Sequence, residues 1–272
     1  MTASTYRSTF SVPRLWLILA SSMAIMFGTL LYFGVEIYHA APPIPERVEA
    51  ADGRLVYTRA DIQQGQGVWQ STGGMQQGSI WGHGGYLAPD WSADWLHREA
   101  VGLLARIAAA DTSEHQAKDE IHKALLRTEM RTNTYNAQTG VVTLSAARAD
   151  SIADVEQHYR RLFQASDAEM LALRKEYAFP IHSVLNDDEA HALSAFFFWS
   201  AWAATTNRPG DDITYTSNWP HEPLVGNTPT ASVLMWSVAS VILLLAGVGG
   251  LVWYYVREYD VWRADMEPET GY

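Results

Sequence analysis

The chain has 272 residues, a formal net charge of −11 and no cysteine. The acidic balance excludes nucleic acid and an anionic membrane face as partners, because both reward Lys and Arg. The missing cysteines exclude disulfides, cysteine nucleophiles, iron–sulfur ligation and the C-x-x-C-H attachment of a c-type haem.

Two uncharged apolar runs, residues 15–35 and 233–256, sit near opposite ends of the chain. At a rise of ~1.5 Å per residue, each run as a helix covers a hydrocarbon core of ~30 Å. The pattern predicts a two-span membrane hairpin with spans at 15–37 and 231–256. The first run exceeds the ~7–15 residues of a secretory signal core, and Tyr38-His39-Ala40 lacks the small residue expected three before a cut. It therefore reads as an uncleaved anchor. Arg7 and Arg14 before the first span, with Arg257 and Arg263 after the second, place residues 1–14 and 257–272 on the cytoplasmic side. Residues 38–230 then form one domain on the periplasmic or extracellular side.

Past the first span, Ala41-Pro42-Pro43-Ile44-Pro45 reads as a stiff exit linker. The glycines and glutamines of residues 63–85 mark turns or close backbone approach rather than a regular element, with Trp69 and Trp81 ordering them. Asp90 caps a helix on which Trp95, Leu96, Ala100, Leu103, Leu104 and Ile107 recur at helical spacing. Ser113 with Gln116, Ser166 with Glu169 and Asn186 with Glu189 are capping boxes for three more. Between them, Gln138-Thr139-Gly140 turns into an extended Val141-Val142-Thr143. Ile152, Val155, Tyr159, Leu162 and Phe163 then mark another amphipathic helix. The helix through Phe196-Phe197-Phe198-Trp199 to Trp202 is apolar nearly all round, which requires deep burial or a bilayer. The domain is expected to be predominantly α. Residues 207–230, rich in Pro and Gly and carrying Trp219, His221 and Glu222, read as an ordered loop that serves for docking.

The histidines yield no metal centre. His115 and His122, with Glu114 and Asp119, fit a solvated helix face, and Asp187, Asp188, Glu189 and His191 fit the acidic first turn of a capped helix. His83 and His97 fit hydrogen-bonded structural roles. The nucleotide-binding, nucleophile-elbow and zinc-protease motifs are missing.

Two long stretches, GSIWGHGGYLAPDWSADWLHREA at 78–100 and FFFWSAWAATTNRPGDDITYTSNWPHEPLVGNTPT at 196–230, resemble the quinol-dependent nitric oxide reductases. The resemblance, with both spans, covers nearly the whole chain. It implies a multi-pass protein of the bacterial inner membrane, in which two transmembrane helices flank an all-α cytochrome c-like domain without haem. It further implies a partner, a helical core of the haem-copper oxidase type with haem b, haem b3 and non-haem iron. That core couples two NO into N2O at the expense of quinol. The sequence ends at Tyr272, where the core would begin, so this chain is expected to hold no cofactor and to be inactive alone. Its expected role is structural, with Trp81, Trp219, His221 and Glu222 docking on the outer face of the core. The family also implies that Gly84 and Tyr86 offer oxygens to a calcium ion completed by the core. Two other readings compete. One is a two-span sensing domain, which the short tail disfavours; the other is an electron carrier with b-type haem on His83 and Met75.

Overall fold

The computed structural model describes residues 12–112, 118–180 and 183–266. The chain divides after Pro43 into two compact units. Among the described residues the first holds one helix, α1 (Val12–His39), and the second holds everything from Ile44 onward, ending in α8 (Ala231–Met266). Both helices are long and apolar enough to cross a membrane, and neither buries any of its apolar stretch within the protein. Leucines and aromatics in such number need lipid or protein cover. The fold is mainly helical, as expected.

The second unit begins with a hairpin, β1 (Arg47–Ala50) and β2 (Leu55–Thr58), followed by α2 (Arg59–Ser71). A short pair, β3 (Ser79–Ile80) and β4 (His83–Gly84), precedes α3 (Trp91–Ala110) and α4 (Lys118–Arg131). Next come β5 (Tyr135–Asn136), β6 (Val141–Leu144), α5 (Ala146–Phe163), α6 (Ala168–Glu176) and α7 (Asp187–Thr205). The extended piece expected at Val141–Thr143 is β6, entered through Gly140 at φ +70°. It pairs parallel with β1 in a four-stranded sheet ordered β2-β1-β6-β5. Val48, Ala50, Val142 and Leu144 alternate inward, the period of two that buries one face of a sheet.

The caps are largely those the sequence signals. Asp90 accepts the Ala93 amide at the start of α3, and Asn186 with Glu189 forms a reciprocal box on α7. At α6 the capping oxygen belongs to Asp167 rather than Ser166, since Asp167 Oδ1 accepts the Met170 amide at 3.0 Å. The expected Ser113 box, like Arg7, Glu114 and His115, lies outside the described residues. The Gly/Gln segment is not all turn. Its first part continues α2, where Gly65 lets the backbone of α7 approach so closely that a Cβ would stand 1.9 Å from the Ala192 oxygen.

The core lies where α3, α5 and α7 meet. Trp91 is sandwiched between Phe197, 5.3 Å away at 8°, and Phe179, 5.9 Å away at 14°, while Trp95 stacks on Tyr159 at 5.3 Å. Phe196, Phe197, Phe198 and Trp202 of α7 are buried, which meets the demand of an all-round apolar helix without a bilayer.

Candidate functional site

The β3–β4 hairpin turns on two residues, Trp81 at φ +53° and Gly82 at φ +80°. Positive φ at both positions is the geometry of a type I′ turn, for which Asn-Gly is the usual sequence. A tryptophan there crowds its own carbonyl at a cost of ~1–2 kcal/mol. The surroundings hold it in place. Its indole nitrogen donates to the Ser200 carbonyl at 2.8 Å, its ring lies 5.5 Å from Trp199, and its amide donates to Ser92 Oγ at 2.9 Å. Asp90 ties the hairpin to α3 by accepting from Ser79 Oγ at 2.8 Å, the Gly82 amide at 2.5 Å and the Ser92 hydroxyl.

Gly82 carries a second tryptophan. A Cβ on it would stand 2.6 Å from the indole nitrogen of Trp219, so the missing side chain is the seat for that ring. Trp219 is 46% exposed and Trp81 half-buried, so the two rings form an edge open to solvent on one side.

The loop that delivers Trp219 is held mainly by polar bonds. Asn227, fully buried, donates to the Ala204 and Pro220 carbonyls at 2.9 and 2.8 Å and accepts the Glu222 amide at 2.7 Å. Asn218 accepts from the Thr214 amide and donates to the Thr228 carbonyl. From α4, Arg131 reaches the Gly226 and Asp212 carbonyls and the Asn207 side chain. Glu222, only 6% exposed, faces inward, where it accepts the Leu224 amide at 3.0 Å and meets His97 Nδ1 at 3.0 Å. It braces the loop from inside. His221 is exposed, its Nδ1 3.2 Å from the Asn227 carbonyl oxygen.

Gly84 sits in β4 at φ +148°, where a Cβ would meet the Gly78 oxygen at 2.2 Å, and Tyr86 just beyond is 97% exposed. These two positions offer neutral oxygens. Among the described residues no group of three or more His, Asp or Glu side chains is placed to hold a metal. Calcium takes six to eight oxygens, usually with carboxylates among them. Gly84 and Tyr86 alone therefore leave most of such a shell, and all of its negative charge, to be supplied from elsewhere. His83 is exposed with Nδ1 3.1 Å from the Trp81 carbonyl oxygen, and Met75 is 58% exposed. Neither stands in the enclosed apolar slot a b-type haem needs. His122, expected on a solvated face, is instead buried, with Nε2 2.8 Å from Asp111 Oδ2.

Several buried polar groups escape the sequence reading. Glu99 and Arg148 form an ion pair at 2.8 Å that is almost wholly buried, with Trp95 Nε1 donating to the second Glu99 oxygen. Tyr57 donates to Glu156 at 2.9 Å, and burial with the Glu156 charge pushes its phenol well above the ordinary range. Burial and the nearby Glu156 and Asp94 carboxylates thus keep Tyr57 and Tyr159 protonated donors, since Tyr159 behaves likewise beside Asp94. A cleft of about 400 Å³ between α3 and α5 is lined by Arg98, Val101, Asp154 and His158. Burial and the Arg98 charge lower the pKa of His158.

A family model for the cytochrome c-like domain of the nitric oxide reductase protein NorB matches residues 45–221, more than half of the chain. No curated protein matches the chain.

Proposed function

The chain belongs to the NorB cytochrome c-like domain family of nitric oxide reductases, and from that premise we propose that it is the N-terminal structural portion of a quinol-dependent nitric oxide reductase. Its domain would stand on the periplasmic side of the bacterial inner membrane, anchored by α1 and α8, and pack on the outer face of the catalytic core. The core would be a continuation of the same polypeptide or a separate chain. Its haems and non-haem iron supply the electron transfer and NO coupling, and this chain's residues bind and shield.

One observation carries the reading: Trp81 is held at φ +53° while Trp219 is seated on the Gly82 gap beside it. Backbone strain of this kind persists only where the surroundings over-determine it, and it clusters at working surfaces. Two preorganised aromatic rings lose little conformational freedom on docking, which is why such residues dominate interface energies. In this reading His221 lies at the rim, and Asp90, Asn227 and Glu222 hold the edge from behind. Gly84 and Tyr86 lie in the same hairpin segment and would contact the core; a calcium role for them would need anionic oxygens from that partner.

The test is affinity of the full chain for its core in mild detergent. Trp219→Ala or Trp81→Ala should each weaken association by about 2 kcal/mol or more if the rings are buried anchors. Undiminished co-purification of both variants would remove the proposal.

A further inference from the structure

The α7 helix reaches the candidate edge through Trp199 and Ser200, and near its other end His191 is gripped by two further elements. The His191 Nδ1 lies 2.9 Å from Glu156 Oε1 of α5, and its Nε2 lies 3.8 Å from Asp61 Oδ2 of α2. Its ring rests 5.2 Å from the Tyr57 ring of β2. We propose that His191 is a proton-operated clasp which, when charged, binds α7 to α5 and α2, and which on losing its proton loosens α7 and the aromatic edge that α7 supports.

The charges around the imidazole favour such a role. Facing it are Glu156 and Asp61, both carboxylates, with the Arg160 charge acting against them and Tyr57 a neutral donor. Arg160 is itself shared, since it donates to Glu156 at 2.8 Å and to Asp187 on the first turn of α7 at 3.0 Å. Two carboxylates, Glu156 and Asp187, therefore share the Arg160 guanidinium while Asp61 faces the imidazole, and a protonated imidazole moves the cluster toward neutrality. Arg54, at the rim of the same site, is engaged by Asp52 and Asp150. A cavity of about 240 Å³ bounded by Leu55, Ile152 and His191 opens beside the ring, whose side chain is 33% exposed, so protons can reach it.

The direction of titration agrees with the geometry. The Glu156 hydrogen bond, with the Glu156 and Asp61 charges, outweighs burial and raises the pKa of His191 above its ordinary value of 6.5. A base whose folded value is raised contributes stability fully below 6.5 and loses it as pH climbs through the folded value. Hydrogen bonds in α7 link the clasp to the edge, because the Ser200 carbonyl that holds the Trp81 indole lies on the same helix.

The experiment compares the full chain in detergent with His191→Gln, which keeps hydrogen bonding and cannot charge. Two readouts are followed as pH is raised from about 6 to about 9: melting temperature, and hydrogen exchange of peptides covering residues 79–84 and 196–205. Groups that titrate in both proteins cancel in the difference. The wild type should melt higher and protect both peptides better near pH 6, and the two proteins should converge at high pH. Curves that run parallel across the range would overturn the clasp, and equal protection near pH 6 would overturn its link to the edge. Should the variant not fold, histidine-selective NMR of the wild type decides. A His191 midpoint above 6.5 is expected, and one at or below it refutes the proposal.

Discussion

Asn227→Ala is the sharpest test of how the candidate edge is built. The side chain is fully buried and serves three main-chain groups: the Ala204 and Pro220 carbonyls and the Glu222 amide. Ala204 lies in the last turn of α7, where carbonyls have no helical partner, so the Asn227 amide fills one of the vacancies every helix end leaves. Truncation orphans two acceptors and one donor inside the protein. At about 1–3 kcal/mol for each buried unsatisfied group, and allowing for partial relaxation, the loss should be about 3 kcal/mol. For a domain of this size that corresponds to a fall in Tm of roughly 6–12 °C. Near-ultraviolet circular dichroism of the full chain in detergent would follow the melt, and exchange of the peptide spanning 216–226 should rise before the remainder unfolds. Asn227→Asp keeps an acceptor for Glu222 but sets a carboxylate against two carbonyls, so it should be no better than Ala. A change below about 0.5 kcal/mol in either variant would mean that the loop is held by something other than these three bonds.

Two glycines in α2 should respond in opposite directions. Gly65→Ala drives a Cβ to 1.9 Å from the Ala192 oxygen and should cost about 3 kcal/mol, whereas Gly67 has open space and its change to Ala should stabilise by about 0.5–1 kcal/mol. Denaturant titration of both variants checks this, and similar effects would contradict the close α2–α7 approach. Glu99→Leu alone should cost about 3–5 kcal/mol by stranding the Arg148 charge, and adding Arg148→Met should recover most of it. A double-mutant cycle reads the coupling, and strict additivity would refute it. His158, whose pKa is lowered by burial and Arg98, acts oppositely to His191: it leaves stability intact above 6.5 and erodes it as pH falls from there toward the folded value. His158→Gln should therefore lose less stability than wild type between about pH 6.5 and pH 5, and an equal acid loss would count against a neutral buried imidazole.

Helices are legible in the sequence where one stripe of side chains faces the core, as in Ile152, Val155, Tyr159, Leu162 and Phe163, and where a cap announces the start, as at Asp90 and Asn186. Local chemistry decides those elements. The β1–β2 hairpin leaves a weaker trace because its strands are four residues long, and β1 finds its parallel partner in β6, far along the chain. Composition also does not distinguish a glycine that turns the chain from one that admits a neighbouring backbone. Gly65 is the second kind, and a segment that reads as irregular is helix. The aromatic edge is visible as Trp81 and Trp219, but the reason both lie at one turn is not, since a Trp-Gly turn breaks the Asn-Gly preference and depends on Ser92, Ser200 and Asp90. Glu222 and Asn227 look like surface polar residues until the loop closes over them. Their burial follows from a loop closed mainly by polar bonds to its own main chain and to α7.

That polar closure explains how a loop with little apolar content of its own can fix the position of Trp219. Hydrophobic contacts tolerate sliding by an ångström at small cost, whereas hydrogen bonds weaken steeply with angle and distance. In the 206–230 segment the fixing bonds run from side chains to main chain: Arg131 from α4, Asn227 to the end of α7, Asn218 to Thr228. The last of these stands two residues before Thr230, whose hydroxyl accepts the Val233 amide in the first turn of α8. Trp219 is thus placed by the same directional bonds that lead the chain from α7 into α8. Rotating the edge without disturbing the start of α8 would require breaking at least the Asn218 bond, so the edge and this entry should shift together or not at all.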